Sequence, residues 1–346
     1  MNGQAGDAAV DFDLRRLDVY LRDWLGGSAE TLVTRTSGGM SNPTYFVTCG
    51  DWQAVLRKQP NNVLMPSAHA IDREYRVLTA LQNSAVPTPK PYRYCEDREV
   101  LGTPFYLMEW LKGRVIYDYA LPGLAPEERE ACYRSMGETL AALHRLDYSA
   151  VGLGDFGKPG NYFARQLNRW SKLWGEYRRG DDDNPALDRM VRWLSERVPD
   201  SDSLALCHGD FRMANLVFHP TEPHVIGVLD WELSTLGHPL VDLAFNTQAW
   251  RMAPDENGGL LGLPLDRMGI PSEQDYLGRY YDDAAATERL TAFHQVFAMF
   301  RGAVGSAGVA ARGELGNNTL PDAANVGRRL ARAYATRGMA LIEGEP

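Results

Sequence analysis

Cysteine is scarce: Cys49, Cys95, Cys132 and Cys207 are the only four in 346 residues, and no two form a C-x-x-C pair. That excludes a disulfide scaffold and a cysteine-based zinc site, and leads us to expect free thiols in a cytoplasmic protein. An excess of cations is lacking too, since 36 Lys and Arg face 45 Asp and Glu for a formal net charge of −9. Chains that bind nucleic acid cluster Lys and Arg against the phosphates, so nucleic acid is not an expected partner. Long apolar runs are missing. The most apolar late stretch, Val296 to Ala311, is broken by Arg301 and by glycines, and is too short and interrupted to span a bilayer, so no membrane partner is expected. Met1 to Asp13 is acidic and lacks the basic-then-apolar order of a secretory signal. We find neither an internal repeat nor a low-complexity tract.

What remains is an ordinary globular composition, 44% hydrophobic and 23% charged, long enough for two lobes. Leu14, Leu17, Leu21, Trp24 and Leu25 recur at helical spacing, and Gly26-Gly27 stops that helix. Thr44 to Thr48 and Gln53 to Arg57 read as a hairpin around Cys49-Gly50-Asp51, and Ile71, Tyr75, Leu78 and Leu81 mark a helix. Strands follow near Pro91 to Cys95 and Phe105 to Trp110. From Pro126 onward amphipathic helices dominate: Pro126 to Leu146, Tyr162 to Tyr177, Pro185 to Val198, and three or more after Pro239. One small β region, Leu204 to Leu229, interrupts them. Ala303 to Ala311 reads as a small-residue helix or a pair of turns. The expected class is α+β and bilobal, with a small β-rich N-lobe (1–111) and a larger, mainly helical C-lobe (112–346).

The strongest local signal is His208-Gly209-Asp210-Phe211-Arg212-Met213-Ala214-Asn215, an H-x-D-x-x-x-x-N frame that resembles a kinase catalytic loop. Chemistry explains the spacing. An Asp must orient an acceptor hydroxyl and take its proton, and a nearby Asn must hold a hard cation against phosphates. The apolar run Val225 to Leu229 then delivers Asp230-Trp231-Glu232, a carboxylate at a strand end, where protein kinases carry D-F-G.

Together with Gly237-His238-Pro239-Leu240-Val241-Asp242-Leu243-Ala244, these motifs resemble the aminoglycoside phosphotransferase-like family, whose relatives include choline and fructosamine kinases. Gly38-Gly39-Met40-Ser41-Asn42, Val55-Leu56-Arg57-Lys58 and Arg73-Glu74-Tyr75-Arg76-Val77-Leu78 narrow the resemblance to kinase-like domains fused to certain acyl-CoA dehydrogenases. The resemblance implies a protein-kinase-like fold and Mg²⁺-dependent transfer of the ATP γ-phosphoryl group to a hydroxyl of a small molecule. The subgroup suggests a hydroxyacyl-CoA-like acceptor.

Residue by residue, it makes Asp210 the base or hydroxyl orienter and Asn215 and Asp230 the metal ligands. Arg212 would neutralise the transferring group or stand as a surface cation. His208 and Asp242 would support the loop. Gly38, Gly39, Ser41 and Asn42 would cover the phosphates. Arg57 or Lys58 would grip them; strand alternation favours Arg57 on the face of Val55, with Glu74 as its ion-pair partner. Glu109 and Leu111 would lie in the hinge, whose backbone holds adenine. Substrate-contact candidates are Tyr162, Arg165, Glu232 and Arg301, the last with a snorkelling surface position as its alternative. Asp181-Asp182-Asp183 and Asp255-Glu256 read as acidic loops rather than a pocket for a polycation. The alternatives are an aminoglycoside antibiotic kinase and a nucleotide-binding pseudokinase. A protein kinase fits poorly, because D-F-G and A-P-E are missing.

Overall fold

The computed structural model describes residues 10–36, 42–61, 71–158, 160–178, 184–314 and 322–344. The chain divides into two compact units, Met1–Lys112 with Gly227–Glu232, and Gly113–Ile226 with Leu233–Pro346. The segment bearing Asp230 therefore packs with residues far earlier in the chain.

In the first unit, α1 (Leu14–Leu25) starts where the Asp13 carboxylate accepts the Arg15 amide, and ends where Gly26, at φ 71°, returns its N–H to the Arg22 carbonyl. Strands β1 (Thr31–Arg35), β2 (Thr44–Cys49) and β3 (Trp52–Lys58) follow, then α2 (Ile71–Leu81), β4 (Pro91–Cys95), the short α3 (Arg98–Leu101) and β5 (Phe105–Glu109). The strands form one antiparallel sheet in the order β1-β2-β3-β5-β4. The pleat then sorts the side chains. Tyr45, Val47, Ala54, Leu56, Phe105 and Leu107 join Leu17 and Leu21 of α1 in the core. Register places Phe46 opposite Val55, Val55 opposite Met108, and Arg57 opposite Tyr106, so these residues share the other face.

In the second unit, β6 (Arg114–Val115) and α4 (Pro126–His144) precede α5 (Tyr162–Tyr177) and α6 (Pro185–Ser195). The short strands β7 (Ala205–Cys207), β8 (Leu216–Phe218), β9 (Val225–Val228) and β10 (Thr235–Gly237) carry the loops of interest. The chain leaves this unit within β9. Then come α7 (Leu240–Thr247), α8 (Leu265–Met268), α9 (Glu273–Asp283), α10 (Ala292–Glu314) and α11 (Ala323–Glu343). The stretch from Ala303 to Ala311 is the middle of one continuous 23-residue helix. It stays helical because tertiary packing outweighs glycine's poor helix propensity. Gly302 admits the Tyr334 ring, Gly308 admits Tyr177, and Gly327 lets α11 rest on the α10 backbone. Among the described residues no helix is long and apolar enough to cross a membrane.

A Cβ added at Gly327 would lie 2.5 Å from the Ala310 nitrogen and 2.6 Å from the Ser306 oxygen, both backbone atoms that cannot rotate away. Gly327→Ala is therefore expected to lower stability by about 1–3 kcal/mol, as overpacking does. A urea titration followed by circular dichroism measures it; an unchanged midpoint would contradict this packing.

Candidate active site

The catalytic-loop frame lies in the second unit, between β7 and β8. Gly209 has φ +85°, and a Cβ there would meet the Leu233 carbonyl oxygen at 2.5 Å, so only glycine fits. The fully buried Asp242, from α7, accepts the His208 amide at 2.5 Å and the Gly209 amide at 2.9 Å. His208 is also fully buried, and its Nδ1 accepts the Asp210 amide at 3.1 Å. Three consecutive peptide N–H groups are thus held by two side chains. Beyond them a short 3₁₀ turn, Met213–Asn215, brings the Asn215 amide back. Its nitrogen donates to both the Asp210 carbonyl and Asp210 Oδ2, each at 2.8 Å, and Arg212 Nε donates to the same Oδ2 at 3.2 Å. The sequence frame therefore becomes a closed ring of contacts around one carboxylate.

Burial pushes the Asp242 carboxyl up, but the hydrogen bond and electrostatic influence of His144, the influence of His208 and the Gly209 N–H outweigh it and hold the group below its ordinary value. His144 Nε2 lies 3.5 Å from Asp242, and its Nδ1 meets the Tyr280 hydroxyl at 2.6 Å. Ligand-type atoms of His144, Cys207 and Asp242 all lie within 4.8 Å of one another. Hydrogen bonds within the chain account for that group: Asp242 serves the loop amides, and the Cys207 thiol faces the Ala205 and His238 carbonyls. Burial raises the Cys207 thiol well above its ordinary range, which keeps it a protonated donor rather than a thiolate ligand.

In the first unit, Arg57 is 8% exposed and stands among three carboxylates. It lies 2.8 Å from Glu74, 2.6 Å from Asp230 and 3.6 Å from Glu232. Glu74 is held further by the Asn42 amide at 2.8 Å and the Tyr106 hydroxyl at 2.9 Å. Burial raises the Glu74 carboxyl, the Arg57 charge opposes it, and the same carboxylate outweighs the burial penalty on Arg57 and raises that group. The two donors and the guanidinium on Glu74 all favour its ionised form, so we take the pair as charged. Asp230 has φ +66°, a left-handed backbone rare for a non-glycine residue and held here beside the Arg57 pair. Lys58 points to the opposite face, fully buried, with its ammonium on Asp11 and Asn61.

The other sequence candidates are scattered. Gly38, Gly39 and Ser41 lie outside the described residues, as does Asp181-Asp182-Asp183. The Asn42 amide is spent on Glu74. Glu109 exchanges contacts with the Lys90 backbone, donating its amide at 2.8 Å and accepting the Lys90 amide at 3.1 Å. Leu111 fills the space left by the missing side chain of Gly227. Tyr162 is buried and sits where a Cβ of Gly237 would be. Arg165 ties down the Lys158 and Gly160 carbonyls ahead of its own helix. Arg301 is buried, with Nη2 on the Gly209 carbonyl at 2.8 Å. Sequence reasoning missed Phe46, whose ring stacks at 4.1 Å on that of Trp110, with the Lys112 ammonium over Trp110. An aromatic on the Val55 face of β2 was the available signal.

A small antiparallel-sheet unit, a larger helical unit and a catalytic-loop carboxylate braced by a buried Asp define a protein-kinase-like α+β fold. Residues 33–293 match the family described as Phosphotransferase enzyme family (APH). The chain belongs to that family. It is similar to acyl-CoA dehydrogenase family member 11 of Rattus norvegicus, 40% identical over 90% of this chain and 41% of the rat protein. Similarity to family member 10 of Mus musculus is 43% over 76% of this chain and 25% of that protein. The chain thus spans less than half of either relative. A solved structure from Ralstonia eutropha, described as a candidate aminoglycoside phosphotransferase, is 38% identical with a TM-score of 0.85, covering 97% of this chain and 99% of that one. Spectinomycin phosphotransferase, solved with ADP and spectinomycin, shares the fold at a TM-score of 0.62 and 11% identity, covering 95% and 98%.

Two measurements test the braces. Arg57→Met would take the cation from the buried Glu74 carboxylate and is expected to cost about 3–5 kcal/mol in chemical denaturation. Asp242 contributes stability above its unfolded pKa, and that contribution is lost as pH falls through its depressed folded value. Asp242→Asn should therefore flatten the acid limb of a stability-versus-pH curve below about pH 4. An acid limb parallel to that of the unmodified protein would contradict the assignment.

Proposed function

We propose that this protein transfers the γ-phosphoryl group of ATP to a hydroxyl of a small molecule, with Asp210 orienting that hydroxyl and taking its proton. The observation that carries the reading is the ring of contacts at Asp210. Its carboxylate is aimed by the Asn215 amide and Arg212, and its peptide is pinned from behind. Such a group acts by position more than by basicity, as phosphoryl transfer requires.

The donor set fits a hard divalent cation. Asn215 commits its amide nitrogen to Asp210, which leaves the amide oxygen as the ligating atom. Asp230 and Glu232 add carboxylates beside Arg57. These are the all-oxygen ligands Mg²⁺ prefers. Asn215 and Asp230 are each proposed as Mg²⁺ ligands on their own unit, and the cation would neutralise phosphate charge. Arg57, steadied by Glu74, would bind phosphate oxygens through its planar fork.

For the acceptor we infer a hydroxyacyl-CoA-like metabolite, supported by relatives that are acyl-CoA dehydrogenase family members. An aminoglycoside acceptor draws support from the likeness to the Ralstonia eutropha structure. Against it, Glu256 of the Asp255-Glu256 pair is occupied by Arg337 at 2.9 Å and by the Ala253 amide.

The test is ADP formation on ATP and Mg²⁺, with and without a panel of hydroxyacyl-CoA thioesters and aminoglycosides. Asp210→Asn should lower turnover by about 10²–10⁴-fold, the usual worth of a positioned general base. Asp230→Ala should abolish the Mg²⁺-dependent part of the ATP-induced rise in melting temperature. A full-rate Asp210→Asn enzyme would rule out the assigned base. ATP binding without turnover on any acceptor would favour the pseudokinase alternative.

A further inference from the structure

Arg301 is a charge against the loop of Asp210 for which the proposed reaction provides no role. It interrupts the apolar face of α10, is 8% exposed, and has no carboxylate in ion-pair range among the described residues. Its guanidinium lies over the Trp170 ring at 5.4 Å and the Phe245 ring at 5.5 Å. Among the described residues, Nε and Nη1 are buried without a hydrogen-bond partner, and the single polar bond it makes runs from Nη2 to the Gly209 carbonyl at 2.8 Å. A buried, uncompensated cation is costly, and an apolar side chain of similar volume would serve packing better. The two rings offset part of that cost.

The placement of that one bond matters. The peptide joining Gly209 to Asp210 has its oxygen on Arg301 and its N–H on His208 Nδ1. The preceding amide, of Gly209, is on Asp242. Glycine at φ +85° gives the following peptide an easy rotation that no side chain of its own opposes. A donor at its oxygen and an acceptor at its N–H remove the rotation, and with it the swing of the Asp210 Cα–Cβ bond. We propose that Arg301 is a positioning residue: it fixes the plane of the Gly209–Asp210 peptide and so aims the Asp210 carboxylate, without touching substrate. The catalytic part of this inference rests on the phosphotransfer reading above. The conformational part does not.

The test uses the full chain with Arg301→Met and Arg301→Lys, and Asp210→Asn as reference. ADP release is measured with water as acceptor, alongside melting temperature and hydrogen exchange of the segment 204–216. Arg301→Met should lower kcat by about 10²-fold, the effect of a misplacement near 1 Å, with KM for ATP within about threefold. Its melting temperature should not fall, because an unpaired charge has been removed. The amides of His208, Gly209 and Asp210 should exchange faster. Arg301→Lys, a point charge in place of a fork, should recover turnover to within about tenfold of the unmodified protein. Turnover by Arg301→Met within about threefold of normal, while Asp210→Asn is slow, overturns the proposal. If the Met variant does not fold, Arg301→Lys decides, and turnover and exchange both equal to the unmodified protein overturn it. If the unmodified protein releases ADP only with an acceptor of the panel above, the same comparison is run with that acceptor; if it releases none with any, the phosphotransfer reading has failed, and exchange alone decides: unchanged exchange in Arg301→Met then overturns the positioning role.

Discussion

One buried carboxylate organises the second unit. Asp242 sits in α7, fully removed from water, and accepts two consecutive amides of the loop that carries Asp210. A bare carboxylate in that position would be expelled or protonated. The loop amides and the neighbouring His144 and His208 keep it charged, so the loop and the charge stabilise each other. The glycine at 209 follows from the same arrangement: the backbone must turn through φ +85° to present both amides, and the Leu233 carbonyl leaves no room for a side chain.

The first unit solves an electrostatic problem of the opposite sign. Arg57 is one cation among three carboxylates. Glu74 is the fixed partner, locked by Asn42 and Tyr106. Asp230 and Glu232 lie on a short segment with a left-handed residue at its head. A guanidinium gripped on one side by a permanent carboxylate can exchange its other partners without losing its own position.

Several features were legible in the sequence because they depend on near neighbours. The αL glycine closing α1, the hairpin around Gly50 and the limits of α2 and α5 all follow from local propensity and periodicity. The choice between Arg57 and Lys58 was half legible: pleat alternation separates their faces, but which face carries Glu74 is a fact of packing. Asn42 was read as a phosphate contact, yet its amide nitrogen serves a carboxylate 32 residues away. The small-residue stretch in α10 was ambiguous because its glycines make sense only once Tyr177 and Tyr334 are seen against them.

The sequence by itself determined the chemical inventory and its spacing: an Asp and an Asn five residues apart in one loop, a carboxylate at the end of the next strand pair, and a cation on β3. Those are short-range relations, set by the geometry of a turn or a pleat. Only the tertiary structure decided which polar groups are already committed. Arg301 reaches Gly209 across 92 residues, and Asp242 reaches the loop amides across 33 and 34. Burial makes each such partner obligatory, since an unpaired polar group away from water is costly, but it does not mark that partner in the local pattern.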